Sequence, residues 1–480
     1  MLSLERGMDK VHHVLETDDI INIALRMLAC INTETVQHSI RTAYLSYKVV
    51  CEHPMGKGCK VENLVLLALF HTIGFFREDI HFGYIPHHND LDFFGRDKVV
   101  QSKYVFACYY LDFMTPLKTD ALPLQNFLQP HNKDLRQFLY QEEYKDIIYM
   151  CARISDYVMK NKDTPLPDNI NFIDPGHFAP EYVEAFKKAN KGNALVDAIK
   201  SEAHVEELSK YISTIRFKQE DNKSLERMLV QLLDFKSTST MKHSINTSSY
   251  ALSLGLRMNL NSKELTILYN SAFLHDIGKI ATPQRILEFP GKLSPEDMGI
   301  MRHHVNHSKR ILNGFVPDEV LETVYRHHEK LNGKGYPRHV EGKDLTLIQR
   351  ILTVADITSA LNDSRSYKGE FSKEKTFSII KNMTDRGELD SSITKFVLED
   401  FDELVKEQAV LQHMLSVDFS KVITNYNDYI LSDMGLMADS LLNNADADDI
   451  EDIEELGDLD ESGGLEDLEE ADDLENLEEI

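Results

Sequence analysis

From Leu2 to about Ser440 apolar residues recur at intervals of three and four, and no stretch shows the strict alternation of a half-buried strand. The pattern predicts an all-α fold. One helix start is explicit at Ser294-Pro295-Glu296-Asp297, where an N-cap serine precedes a proline at the first helical position and acids in the first turn. The spacing predicts a helix from there to the Asn313-Gly314 stop. At 480 residues the chain is too long for one ordinary domain, and two or three are expected.

The helical pattern also repeats. TVQHSIRTAYLS around His38 is similar to TMKHSINTSSYALS around His243, and about thirty residues later LLALFHTIGFF around His71 parallels NSAFLHDIGKI around His275. Each copy then carries an acid after a helical apolar run, Asp156 in ARISDYV and Asp356 in ILTVADITSAL. This organisation predicts a degenerate helical domain at 1–200, a connecting helix at 201–219, a second domain at 220–440 and an acidic tail at 441–480.

Charge separates the tail from the rest. The formal net charge is −27, and residues 443–480 hold 19 of the 79 acids without a single Lys or Arg. Removing that stretch leaves 60 acids against 52 bases, a net of −8, which disfavours binding to a nucleic-acid polymer. Like charges at the tail's density repel, so disorder is expected there, with a partner-binding segment as the sharper alternative. The longest apolar run, NLVLLALFHTIGFF, is short for a membrane span and contains His71. No membrane association and a cytoplasmic location are expected. The five cysteines lie in the first third without paired zinc-ligand spacing, so reduced thiols are expected.

The candidate chemistry is concentrated in the second copy. His243, the His275-Asp276 pair, His303, His304, His307, the His327-His328 pair and Asp356 offer imidazole nitrogens and carboxylate oxygens, a donor set that suits Fe, Mn, Zn or Ni. The absence of a nearby cysteine argues against a structural zinc finger. A carboxylate such as Asp276 can bridge two cations, and so many neutral histidines imply more than one ion. Singly, each has an ordinary reading: His243 as a satisfied helix histidine, His275-Asp276 as the polar end of a buried helix. Jointly, within little over a hundred residues, they point to metal. In the helix from Pro295, His304 shares an inward stripe with Met301, Val305, Ser308 and Leu312, whereas His303 and His307 are four apart and could clamp a metal themselves. Periodicity leaves that choice open.

The order HDIGKI, MRHHVNHSKRIL, HHEKLNGKGYP and VADITSALNDSRSYK resembles the HD-GYP family, a branch of the HD-domain metal-dependent phosphohydrolases that hydrolyse cyclic di-GMP. The resemblance covers roughly residues 220 to 430. It implies metal ligation by His243, His275, Asp276, His304, His327, His328 and Asp356, thereby favouring His304 over its neighbours. It also implies a cyclic dinucleotide as substrate and two divalent ions, iron or manganese, as cofactors of a bacterial signalling phosphodiesterase. Lys279, which the HDxGK motif matches, would set a fixed positive charge beside the reacting phosphate, so that Lys279 and Asp276 are the expected catalytic residues. Arg365 and Lys368 would contact the second phosphate, and Gly335, Tyr336 and Pro337 would shape the substrate mouth.

The chain departs from the family at several positions. Ser239 stands where some members have a third-metal glutamate, which implies a two-metal site and linear pGpG as product; Asn332 and Ser359 stand where aspartates are usual. In the first copy Thr72 replaces the bridging acid and Phe75 the lysine, and His87-His88 follow His71 too soon to match, so this copy is expected to be non-catalytic and to pack against the second copy, regulate it or mediate dimerisation. Other readings are a hydrolase of another nucleotide, or a cyclic-dinucleotide-binding adaptor whose acidic tail recruits a protein partner.

Overall fold

The computed structural model describes residues 7–442 apart from 13, 55–59, 78–92, 96–97, 129–139, 175–177, 238–239 and 364–370. Ser239, His87, His88, Arg365, Lys368 and the acidic tail therefore lie outside the described residues. Among the described residues the chain is all-α, with no strand and one isolated bridge between Asn332 and Glu341. None of the described helices is long and apolar enough to cross a membrane. Cys30, Cys51, Cys108 and Cys151 are free thiols.

The first half contains α1 (Thr17–Ile31), α2 (Thr33–Glu52), α3 (Val61–Phe70), α4 (Lys98–Met114), α5 (Tyr140–Lys160), α6 (Pro180–Ala189), α7 (Ala194–Lys200) and α8 (Ala203–Ile212). The second half begins with α9 (Gln219–Gln231) and α10 (Thr240–Arg257), followed by α11 (Ser262–Leu274) and α12 (Gln284–Leu287). Then come α13 (Pro295–Arg302), α14 (His304–Leu312), α15 (Asp318–Tyr325), α16 (Leu347–Asn362), α17 (Lys373–Asp385) and α18 (Ser391–Leu442).

Two sequence expectations about helices change. Residues 201–219 are not one connecting helix: α8 ends at Ile212, and the following residues turn back on themselves, with Thr214 Oγ1 donating to Tyr211 O at 2.6 Å and Arg216 to Ser213 O at 2.9 Å. These side chains take up the carbonyls that a continuing helix would use. The helix predicted from Pro295 starts as read, with Ser294 Oγ accepting from Asp297 N at 3.1 Å, but it breaks at His303 into α13 and α14. The apolar pattern runs through the break, so periodicity alone does not reveal it.

Helices α10, α11 and α16 form the frame of the second half. Capping boxes fix the start of α11 (Asn261 with Glu264) and of α16 (Thr346 with Gln349), each satisfying backbone N–H groups that have no partner within the helix. Their apolar stripes share a buried cluster that includes Leu252, Leu268, Ala272, Leu352 and Ala355. Full burial of each leucine contributes ~2 kcal/mol, so the frame is held by packing more than by helix propensity.

The first half is packed directly on this frame. Arg26 of α1 donates to the carbonyls of Arg310, Ile311 and Asn313 at the end of α14, and its guanidinium lies 4.2 Å from the Phe315 ring centroid. Tyr110 of α4 donates to Met228 O at 3.2 Å, and Phe106 meets Tyr426 of α18 edge-on at 5.4 Å. A single buried cluster accordingly runs from Leu15 to Tyr426.

Candidate metal centre

Three histidines are placed by one local device. Each sits just beyond a helix end or break, where carbonyls lack partners, and directs Nδ1 at the carbonyl three residues earlier: His275 at Ala272 O (2.7 Å), His304 at Met301 O (2.8 Å) and His327 at Val324 O (2.6 Å). With Nδ1–H donating, the lone pair is on Nε2, which each residue presents to the same interior point. The turns themselves are pinned. Ser308 Oγ donates to His275 O at 2.8 Å and accepts from Gly278 N at 2.9 Å, while Thr353 Oγ1 donates to His327 O at 2.9 Å. A Cβ at Gly278 would lie 2.0 Å from His304 O, so only glycine lets α14 approach the turn this closely.

The side chains converge on Asp276. On one side of its carboxylate, Oδ2 lies 3.2 Å from His275 Nε2 and 3.7 Å from His243 Nε2; on the other, Oδ1 lies 3.4 Å from His304 Nε2 and 3.9 Å from His327 Nε2. Asp356 closes the set, with Oδ1 at 2.9 Å from His243 and Oδ2 at 3.6 Å from His328 Nδ1. Lys279 Nζ stands 2.7 Å from Asp276 Oδ2. The five histidines, two aspartates and lysine singled out in the sequence are thus brought together. His303 is exposed and His307 accepts from Arg310 at 3.2 Å, so it is His304 that faces this point.

Burial makes the electrostatics severe. Asp276 and Asp356 are each about 1% exposed, yet despite the cost of desolvation both are held well below the usual carboxylate range, Asp276 by His275 and Lys279 and Asp356 by His243 and His275. Burial alone would drive His275 down, but the two neighbouring carboxylates raise it to about 10. His304 and His327 are lowered to about 4 and about 3, chiefly by burial, and His328 is lowered well below the ordinary value. The pocket therefore holds two buried negative charges, with His275 held charged beside them and His304, His327 and His328 neutral.

The residues present fit a metal. Asp276 Oδ1 and Asp356 Oδ2 are buried without a hydrogen bond, a state that is costly unless a cation lies among them. Three groups have all their donor atoms within 4.8 Å of one another: His304, His327 and His328; His243, His275 and Asp276; and His275, His327 and Asp356. Among the described residues all such groups fall in this pocket.

The glycine-rich turn folds back over the His-His pair. A Cβ at Gly335 would meet His328 O and Lys330 N at 2.4 Å, Tyr336 N donates to His328 O at 3.1 Å, and the Tyr336 ring lies 4.7 Å from the His328 ring. Pro337 follows, and Arg302 lies 5.3 Å over the Tyr336 ring. Buried Glu329, quoted in the sequence motif without a role, closes the loop by accepting from Arg338 N at 2.6 Å and Val340 N at 3.1 Å. Asp363 was also missed; its side chain contacts His243 at 3.1 Å, and the signal available was an acid one helical turn after Ser359.

A helical frame that closes histidines and aspartates around one buried carboxylate defines the class of the second half, and residues 227–393 match the family model described as "HD domain". This match and the relatives that follow support the resemblance of the second half to the HD-GYP family. A 3'3'-cGAMP-specific phosphodiesterase of Vibrio cholerae is 33% identical over 175 residues, 36% of this chain and 41% of that protein. The cyclic di-GMP phosphodiesterase response regulator RpfG of Xanthomonas campestris is 33% identical over 144 residues, 29% of this chain and 38% of that protein. A cyclic di-GMP phosphodiesterase of Pseudomonas aeruginosa is 28% identical over 277 residues, 57% of this chain and 58% of that one. The chain spans less than half the length of the first two of these relatives.

Proposed function

We propose that this chain is a metal-dependent phosphodiesterase of cyclic dinucleotides, with cyclic di-GMP as substrate and linear pGpG as product. The observation that carries the reading is the convergence of five imidazoles on two buried carboxylates, with Asp276 turning a different oxygen toward each set of histidines. Two divalent ions, iron or manganese, suit this donor set: His243, His275, Asp276 and Asp356 would hold one, and Asp276, His304, His327 and His328 the other. When bound, the ions supply a hydroxide at neutral pH and a charge that attracts the phosphodiester.

The chain's own residues do the remaining work. In the reaction, water oxygen bonds to phosphorus, one P–O3' bond breaks and the leaving 3'-oxygen takes up a proton. Lys279, fixed by its ion pair with Asp276, offers an ammonium that stabilises the negative charge developing on the phosphoryl oxygens. Tyr336, seated beside His328, provides one wall for the substrate. Arg365 and Lys368 are assigned to the second phosphate. The division into a catalytic second half and a non-catalytic first half, which packs on it, belongs to this reading, as do a homodimer and a protein partner for the acidic tail.

The names of the relatives favour a second substrate on equal chemistry, the mixed dinucleotide 3'3'-cGAMP. The test is anaerobic purification with elemental analysis, followed by incubation with cyclic di-GMP and, separately, 3'3'-cGAMP, with product identification by mass spectrometry. Metal near two equivalents and accumulation of linear pGpG are expected, and chelation should abolish turnover. Preferential cleavage of 3'3'-cGAMP would transfer the assignment to that substrate; a metal-loaded chain that cleaves neither would remove the enzymatic reading.

A further inference from the structure

His243 cannot be held as the other histidines are. It is the fourth residue of α10, so its ring sits on the side of a continuing helix and has no free helix-end carbonyl for Nδ1. Its Nδ1 instead meets Asp363 Oδ2 at 3.1 Å, while its Nε2 lies 2.9 Å from Asp356 in the pocket. Asp363 is the residue that ends α16, in extended backbone, with its side chain 10% exposed. It is itself held on several sides. Ser359 Oγ donates to Asp363 Oδ2 at 2.9 Å, Asn246 Nδ2 donates to Asp363 Oδ1, and Gln408 of α18 donates to Asn246 Oδ1.

We propose that Asp363 is a positioning residue: its carboxylate fixes the His243 ring so that Nε2 points at the metal centre, the duty that helix-end carbonyls perform for His275, His304 and His327. The carboxylate accepts the Nδ1 proton and leaves the lone pair on Nε2, and its negative charge makes the imidazole a stronger donor. Asn246 and Ser359 hold Asp363 in turn, so the arrangement is rigid before any ion arrives. The inference rests on the proposed metal reading and names a residue outside the seven ligands.

The test uses the full chain, stripped with a chelator and titrated with Mn2+ by calorimetry, with thermal unfolding of the metal-free protein recorded alongside. Asp363→Ala should weaken Mn2+ binding about 10- to 100-fold, the range for loss of a residue that orients a ligating histidine. Asp363→Asn, which keeps the shape and loses the charge, should weaken it about tenfold and covers the case in which the alanine variant fails to fold. The decisive arm is rescue. Ser359 Oγ lies 3.2 Å from His243 Nδ1, so Ser359→Asp placed on Asp363→Ala should bring a carboxylate back within reach and restore most of the affinity. Wild-type affinity in both single variants, or weakened binding that Ser359→Asp does not improve, would overturn the positioning role. Failure of the wild-type chain itself to take up Mn2+ would overturn the metal reading and this proposal with it.

Discussion

The molecule contains two histidine pockets built on the same backbone plan, and they are filled differently. The His38 and His71 rings are 5.6 Å apart, against 5.4 Å for His243 and His275. His71 Nδ1 meets Ala68 O at 2.8 Å as His275 meets Ala272 O. A Cβ at Gly74 would lie 2.0 Å from Lys103 O, the same distance at which one on Gly278 would strike His304 O. The helix end, the turn and the close approach of the next helix are therefore shared. What differs is the filling. Thr72, where Asp276 stands in the other pocket, is bonded to Ser39 at 2.7 Å, Phe75 replaces the lysine, Phe93 stacks on His38 at 4.4 Å, and Asp156 pairs with Lys160 at 3.0 Å. Aromatic rings occupy the space that charge occupies in the second half, and burial holds His38 and His71 neutral. The shared features are backbone packing; the proposed capacity of the second pocket for cations rests on the acid that the first lacks.

The largest effect should follow from erasing that distinction in the second half. Asp276→Ala removes the carboxylate on which both histidine sets converge, and hydrolysis of the cyclic dinucleotide should fall at least about a thousandfold, ~4 kcal/mol in the barrier, together with loss of bound metal. Elemental analysis and initial rates check both. A near-normal rate would remove Asp276 from the mechanism.

The reverse change in the first half tests whether an acid alone suffices. Thr72 is about 1% exposed, and Thr72→Asp would place a carboxylate between two neutral imidazoles in an aromatic pocket at a cost of ~3 kcal/mol. Urea unfolding should show the loss, and metal content should not rise, because Phe93 lies against His38 where a cation would need room. Uptake of an extra equivalent of Mn2+ would show that the two pockets differ by one side chain only.

Lys279 and Phe75 make the next comparison. Lys279→Ala removes a charge that sits 2.7 Å from the Asp276 carboxylate, and kcat should drop about a hundredfold, ~2.7 kcal/mol, with the metals retained. Loss of metal in this variant would reassign Lys279 from the reacting phosphate to the upkeep of the site.

How much of this was legible in the sequence depended on the range over which each constraint acts. Spacings of three and four residues report burial along a single helix, so the all-α class could be read, and the seven candidate ligands could be named because residue type and order survive without coordinates. Periodicity left His303, His304 and His307 open and the resemblance favoured His304; the break at His303 that turns it inward is announced by no apolar pattern. Asp363 was invisible for a different reason: its partner His243 lies 120 residues away, and an acid at a helix end ordinarily faces water. Ser359, noted as a missing aspartate, was the nearest clue, since the carboxylate it lacks is supplied one turn later by Asp363.

The smallest expected effect concerns the protons of the first pocket. Burial lowers His71 to about 4, only partly offset by its bond to Ala68, whereas in the unfolded chain the same group titrates near 6.5. Between those values the unfolded chain takes up a proton that the folded chain refuses, so the stability associated with His71 is complete above about pH 6.5 and is lost as the pH falls toward 4. From pH 7 to pH 5 that loss is ~2 kcal/mol. His71→Leu removes the titration while keeping an apolar side chain among Tyr104 and Phe127, so whatever packing penalty it carries should be nearly independent of pH. Urea unfolding of wild type and variant at the two pH values, with metal content matched, then isolates the proton: the difference between them should move by ~2 kcal/mol in the variant's favour on acidification. The groups of the second pocket titrate identically in both proteins and cancel. A difference that stays constant with pH would mean that His71 is not held neutral, and that the first pocket keeps more of the second's polarity than its aromatic filling indicates.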